Sequence, residues 1–295
     1  MFNRQAINGL FLFDRDYLEY HQDRFQDHSL LFFQGDHLEA LLPLNLAGTR
    51  AASHGGLTFG GLLIGPRMKI HAYLRLFDLL LAYLRSLGLE TLLYKPIPFI
   101  FHQLPALEDQ YALWRCQARL VNRSLSSCID LQQPIRYTKG RKWSLKRAQG
   151  AGLELRQNDD YPAFMALVQE ILGHKYAVQP THTAAELLSL ASRFPAHIRL
   201  WAVYIDGSMI GGSVVFLSSQ VVHLQYIATN DAGKQWHALD LIVHELIQTY
   251  RGAKRYLSFG ISPGGDEAGL NTGLVQNKES YGARSLPHDI YEITL

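Results

Sequence analysis

Three β-rich stretches, LWAVYID, GGSVVFLS and VVHLQYIAT, follow one another through residue 229 with gaps that allow only turns, so they must form an antiparallel meander. A helical pattern from about Lys234 to Tyr250, the strand YLSFGIS, a glycine-rich loop, a short helix near 272–281 and a last strand, DIYEITL, come after it. A meander that continues through a helix into further strands gives a mixed sheet with helices against it. Before it lie the strand LELRQ and helical patterns around 160–175 and 183–193.

The first half carries a similar order. Asp14 can cap a helix through Arg24, with Tyr17, Leu18 and Phe25 on one side. LLFFQ and LEALLPL flank Gly35-Asp36, a hairpin turn signal, and AASHGGLTFGGLLIG continues with β-compatible residues. Ile70, Leu74, Phe77, Leu81 and Leu84 recur at helical spacing between Lys69 and Leu87, and Gly88 ends that helix. TLLYKPI reads as a strand, PALEDQYALWRCQ as a helix opened by proline and LVNRSLSSCIDL as a strand. No residue-level repeat links the halves, so the duplication is one of architecture. At 295 residues the chain is about twice a typical domain. We therefore expect an α/β (α+β) protein of two similar units, 1–134 and 135–295, divided near Pro134. The closing segment 284–295 is assigned loosely.

Hydrophobic residues make up 47% of the chain, which rules out disorder. The net charge of +2 argues against a protein that binds nucleic acid over its whole surface. Locally the balance breaks: Arg136, Lys139, Arg141, Lys142, Lys146 and Arg147 place six cations in twelve residues. Lys139, Lys142 and Lys146 share a helical face, able to hold phosphates of a nucleotide-sugar, a carrier or tRNA, or simply to be a solvated face. Cys116 and Cys128 match no metal or redox spacing and read as buried thiols in a reducing compartment. With neither a signal-like start nor an apolar run long enough to span a bilayer, a cytoplasmic location is expected.

Two apparent motifs fail on mechanism. Gly260-Ile261-Ser262-Pro263-Gly264 fits G-x-S-x-G, but the oxyanion hole of that elbow needs the N–H after the serine and Pro263 has none. His244-Glu245 begins like a zinc-protease helix without the second histidine, so no metal site is expected. The glycines of SHGGLTFGG fit neither nucleotide fingerprint and read as close backbone approach in a sheet or to a ligand. The run HLQYIATNDAGKQWHALDLIVHELI places a strand, a short turn and a helix in succession, so free helix N–H groups could face an anion.

This order resembles the GNAT superfamily of N-acyltransferases, whose Q/R-x-x-G-x-G/A loop before a helix binds the pyrophosphate of acyl-CoA. Here Asn230, Gly233 and Lys234 would be the binding residues, with Asn230 at the first position and Gln235 where a small residue belongs; Asp231 adds negative charge there. SHGGLTFGGLL, YKPIPFIFHQLPALEDQYAL, YTKGRKWSLKRA and GLNTGLVQNKESYGAR carry a broader resemblance, to tandem GNAT-like proteins of the FemAB type. These are related to the Fem peptidoglycan aminoacyltransferases and to acyltransferases of bacterial cell-surface polysaccharide loci. The resemblance implies a bacterial-type protein of two GNAT-like domains, no permanently bound cofactor, an acyl-CoA or aminoacyl-tRNA donor and an amine acceptor on a sugar or envelope precursor, in a cleft between the units. It also implies that the terminal strand 284–295 can return to the first domain.

Direct acyl transfer needs a neutral amine, a proton acceptor and donors aimed at the oxyanion. His54, Lys95, His102, Glu108 and Asp109 in the first half, with Lys139, Arg141, Lys142 and Lys278 in the second, are the substrate-binding candidates. Gln225 and Tyr226 lie on the strand that lines the groove in GNAT enzymes, and alternation sends them to opposite sides. Tyr281 stands where a tyrosine could protonate the leaving group, and Glu279 is the comparable base or ligand. The alternatives are an acetyl-CoA-dependent N-acetyltransferase of a small amine and a noncatalytic RNA- or phosphate-binding protein. The oligomeric state is left open.

Overall fold

The structure is a computed structural model that describes residues 2–176, 180–264 and 269–295. Two compact units divide it, Met1–Leu125 with Pro287–Leu295, and Ser126–Leu286. The division falls inside a strand upstream of Pro134, where a run of paired backbone shows no break in composition.

In chain order the first unit contains α1 (Arg15–Leu18), β1 (Gln26–Asp27), β2 (Leu30–Gln34), β3 (His37–Leu42), β4 (Asn45–Ala47), β5 (Arg50–Ala52) and β6 (Leu63–Ile64). Then come α2 (Ile70–Ser86), β7 (Thr91–Tyr94), α3 (Glu108–Arg115) and the start of β8 (Arg119–Asp130). The second unit adds α4 (Lys139–Gln149), β9 (Glu154–Asn158), α5 (Tyr161–Tyr176), α6 (Ala184–Arg193), β10 (Ile198–Ile205), β11 (Ser208–Leu217) and β12 (Val221–Thr229). It continues with α7 (Asp231–Gln235), α8 (Ala238–Tyr250), β13 (Tyr256–Ile261) and α9 (Thr272–Glu279), and β14 (Arg284–Thr294) closes the chain.

The first unit has one sheet in the order β1-β4-β5-β7-β14 and a small one, β2-β3-β6. The terminal strand thus pairs with β7, Tyr291 opposite Tyr94. Helix α2 buries Tyr73, Phe77, Leu80 and Leu84, one face of a 3.6-residue period, against Leu42, Leu44, Leu92 and Tyr94. Each such side chain removed from water contributes roughly 1.5–3 kcal/mol. Gly88 adopts φ 74° and ends the helix, as its sequence position implies.

Two expectations for this unit are corrected. Asp14 does not cap a long helix: its carboxylate accepts from Asn3 Nδ2 at 2.9 Å, and only the short α1 follows. Most of AASHGGLTFGGLLIG is loop rather than strand. His54 sits at φ 56°, and Gly60 comes so close to Ser53 that a Cβ there would lie 2.5 Å from the Ser53 carbonyl oxygen. The glycines permit backbone to meet backbone.

The second unit is a mixed sheet, β8-β13-β12-β11-β10-β9, in which only the β12–β13 pair is parallel. Its meander matches the alternation in the sequence, with β10 to β12 paired in register along most of their lengths. Ala238, Ile242, Val243, Leu246 and Ile247 of α8 cover the sheet residues Val203, Val215, Val222, Leu224 and Leu257. The helix expected from Lys234 to Tyr250 is in fact two. His237 at φ 57° separates α7 from α8, since a left-handed residue cannot continue a right-handed helix, and its ring meets Trp143 edge-on at 5.5 Å. Within the glycine-rich loop after β13, residues 265–268 lie outside the described residues. Among the described residues no helix is long and apolar enough to cross a membrane.

Candidate functional site

The parallel pair at the centre of the second unit is short. β12 and β13 are joined only at Val221–Tyr256, Val222–Leu257 and His223–Ser258, although β12 runs on to Thr229 and β13 to Ile261. β13 keeps its other partner, β8, through an irregularity between Ser258 and Gly260, where Gly260 adopts φ 69°. Beyond His223 the two strands part, and no other described strand fills the gap. One edge of β12 from Leu224 to Thr229 is left with backbone donors and acceptors that an extended amide can pair.

A bulge shapes the same edge. Val214 pairs with Tyr226 while Val215 pairs with Leu224, so Gln225 is an extra residue without a place in the ladder. The bulge cancels the alternation that would send Gln225 and Tyr226 to opposite sides. The side chains of Gln225 and Thr181 both come near the Tyr226 hydroxyl. That hydroxyl lies 2.7 Å from Nδ1 of His182 and accepts from the His182 backbone N–H at 3.2 Å. Burial pushes the phenol above its ordinary range, so it stays protonated. His182, buried at the start of α6, is the partner the sequence reading missed; its one signal was a position just ahead of the Thr183 capping box.

Lys278 lies on the other side of the opening. Its ammonium donates to the carbonyls of Gly260 and Ile261 and to Ser262 Oγ, each at 2.8 Å. Burial lowers its pKa to about 8, and with all three donors engaged it fastens the end of β13 rather than meeting substrate directly. Tyr281, expected as an acid, is buried against Phe259 and Tyr137, with the Arg141 guanidinium 4.2 Å over its ring. Burial first, and then the charge of Asp240, raises its hydroxyl far above the ordinary value, so it packs rather than titrates. Glu279 is exposed at the end of α9.

The basic segment separates into two kinds of residue. Arg141 turns inward: Nη1 donates to both carboxylate oxygens of Asp240, at 3.0 and 3.1 Å, and Nε to Ser280 Oγ at 2.7 Å. Lys139 and Lys142 are exposed on α4. An anion on this surface would meet the lysines, not Arg141.

The expected pyrophosphate turn is already occupied by its own side chains. Asn230 caps α7 by accepting from the Gly233 N–H at 2.9 Å, and Lys234 is paired with Asp231 at 2.7 Å. Gly233 is pressed against β11, so a Cβ would stand 2.1 Å from the Ile210 carbonyl oxygen. The helix that follows has only five residues. These features do not fit a coenzyme diphosphate held on a helix terminus, where free N–H groups and a longer dipole are needed. Gly233→Ala is expected to cost about 2 kcal/mol or more, through overpacking against rigid backbone. A urea titration that leaves the midpoint unchanged would contradict this contact.

The first-unit candidates form two groups. Lys95 donates to the carbonyls of His54 at 3.1 Å, Gly55 at 3.4 Å and Leu57 at 2.9 Å, which ties down the His54 loop. Burial lowers the Lys95 pKa, and His54 is buried beside Phe25. His102 bonds the Ile97 carbonyl through Nε2 at 3.0 Å, and burial lowers its pKa to about 4, so it is neutral at pH 7. Both histidines and Lys95 are therefore engaged in shaping loops.

Asp109 belongs to a different environment. It is buried in the first turn of α3, with Oδ2 accepting from the Tyr94 hydroxyl at 3.4 Å, and that hydroxyl accepts from the Leu62 N–H at 3.0 Å. Oδ1 of Asp109 and Oε2 of Glu108 are buried without a hydrogen-bond partner among the described residues. Burial lifts the Asp109 carboxyl to about 7, and the neighbouring Glu108 adds to it. Tyr94 and the nearby Tyr73, both fully buried and also raised by burial, complete a polar cluster in an apolar core. Among the described residues there is no group of three or more His, Cys, Asp or Glu able to hold a metal ion.

Residues 136–268 match the family model for the acetyltransferase (GNAT) domain. The chain is similar in structure to FemX, with a TM-score of 0.73 at 9% identity, covering 100% of this chain and 94% of that one. It is also similar to L-PGS from Bacillus licheniformis, with a TM-score of 0.62, 12% identity and 95% and 91% coverage. A tandem GNAT protein from the clavulanic acid biosynthesis pathway gives a TM-score of 0.50, 12% identity and 90% and 82% coverage. A search of curated proteins finds no match. The chain thus has the mixed α/β fold of tandem GNAT-like proteins and resembles the FemAB type.

Proposed function

We propose that this chain is an N-acyltransferase that moves an activated acyl or aminoacyl group, by direct attack, to the amine of a sugar or cell-envelope precursor. The parting of β12 and β13 around the Gln225 bulge carries this reading. It offers backbone N–H groups on a free strand edge, the type of donor that stabilises an oxyanion on an acyl carbonyl. In the reaction the amine nitrogen attacks the carbonyl, a C–N bond forms, and the C–O or C–S bond to the donor breaks. The proton lost by the amine goes to the leaving oxygen or sulfur. The Tyr226–His182 pair is the group on this edge that can take up and return it.

The occupied turn at Asn230 favours an ester donor such as aminoacyl-tRNA over acyl-CoA. The family match of residues 136–268 favours the acetyl-CoA reading instead, so one assay should contain both. The purified chain is incubated with labelled aminoacyl-tRNA or acetyl-CoA and with UDP-amino sugars, and amide products are read by mass. Aminoacyl transfer without acetyl transfer is the expected result, and Tyr226→Phe and His182→Ala should each lower kcat by roughly 10²-fold. Acetyl transfer alone would overturn the choice of donor. Full activity in both variants would overturn the site.

A further inference from the structure

The small sheet of the first unit has an exposed edge with an unusual composition. β2, Leu30–Gln34, pairs with β3 on one side and with no described strand on the other. Leu30 and Phe32 pack into the core, whereas Leu31 is 53% and Phe33 58% exposed. Edge strands are ordinarily protected by lysine, proline or an inward charge, and LLFFQ contains none of these. Alongside runs α2, whose Leu79 is 62% exposed, and between helix and strand lies a groove of about 340 Å³. Its lining includes two charged residues, Arg75 and Glu39. Glu39 is the extra residue of a bulge in β3, because Phe32 pairs with Ala40 and Phe33 with Leu38. Neither charge has an ion-pair partner among the described residues.

We propose that this face is a two-fold interface with a second copy of the chain, formed by antiparallel pairing of β2 with β2. A two-fold contact must be self-complementary, and this surface is. Centred on Phe32, the pairing sets Leu31 of one copy opposite Phe33 of the other. It also gives the lone Arg75 on each side a lone Glu39 to meet on the other side, twice over. A lipid chain would fill the groove but leave the β2 edge hydrogen bonds and Glu39 unanswered, whereas a second β2 strand satisfies both.

The test is the mass of the intact chain in solution, by light scattering across micromolar concentrations, with flotation on phosphatidylglycerol vesicles in parallel. The wild type is expected to be a dimer. Arg75→Glu and Glu39→Arg should each raise the dimer dissociation constant about tenfold or more, and the double swap should recover it. Leu79→Glu, on an exposed helix face where folding is not at stake, should leave a monomer. A wild type that stays monomeric at every concentration overturns the proposal, whether or not it floats with vesicles. So does a double swap no better than either single variant.

Discussion

Arg141→Ala is expected to destabilise the protein by about 3–5 kcal/mol, although the residue sits in a segment that looks like a solvated basic face. The guanidinium is 18% exposed and its partner Asp240 only 5%. Deleting it strands a carboxylate beneath α4, takes a donor from Ser280 Oγ, which keeps its own bond to the Asn277 carbonyl, and removes the cation from the Tyr281 ring. The cost is that of a buried charge without compensation, well above that of an exposed ion pair. Lys139→Ala and Lys142→Ala, one on each side in sequence, should move stability by no more than about 0.5 kcal/mol. Urea unfolding followed by circular dichroism separates the cases, because a change in midpoint at constant slope reports stability alone. Removing both charges in Arg141→Leu/Asp240→Leu should recover most of the loss, since a buried pair and a packed apolar pair are close in free energy. Equal midpoints for Arg141→Ala and Lys142→Ala would show that Arg141 is not holding Asp240.

This contrast shows what the sequence could and could not disclose. Period-based features were legible: the β10–β12 meander, the buried stripe of α2 and the glycine that ends it follow from local spacing, which one segment determines by itself. The separation of Arg141 from its neighbours was not, because it depends on Asp240 and Ser280, far along the chain. The same holds for the loop over residues 53–62, which reads as β-compatible until the Lys95 ammonium draws three of its carbonyls inward. The bulge at Gln225 was hidden in a regular-looking run, since a ladder irregularity exists only between two strands. Gln225 and Tyr226 were nonetheless legible as a location, and it is their mutual orientation that tertiary pairing decided. His237 could not be told from an ordinary helical residue, because its left-handed backbone has no local signature and its ring contact is with Trp143 on another helix.

Asp109→Asn should make the protein more stable than the wild type by an amount that grows with pH. Asp109 was legible as an acid opening a helix, where an exposed carboxylate would favour the N-terminus. Its burial against Tyr94 reverses the consequence. The folded state holds the carboxyl proton up to about pH 7, while the unfolded chain releases it near the ordinary value of 3.8. A proton held more tightly by the folded state stabilises it fully below the unfolded pKa, and that stabilisation is lost as pH rises toward the folded pKa. Asparagine does not titrate and keeps a neutral group of the same shape beside the Tyr94 hydroxyl. Effects of other titrating groups cancel when variant and wild type are compared at each pH. From about pH 5 to about pH 8 the stability gap should therefore widen by roughly 2–3 kcal/mol in favour of Asp109→Asn. Urea midpoints at a series of pH values measure it. A gap that stays constant would mean Asp109 ionises as it would in water, and a gap that narrows would mean the fold stabilises the carboxylate. The expected widening would place a protonated acid next to Tyr94 across the acidic half of that range.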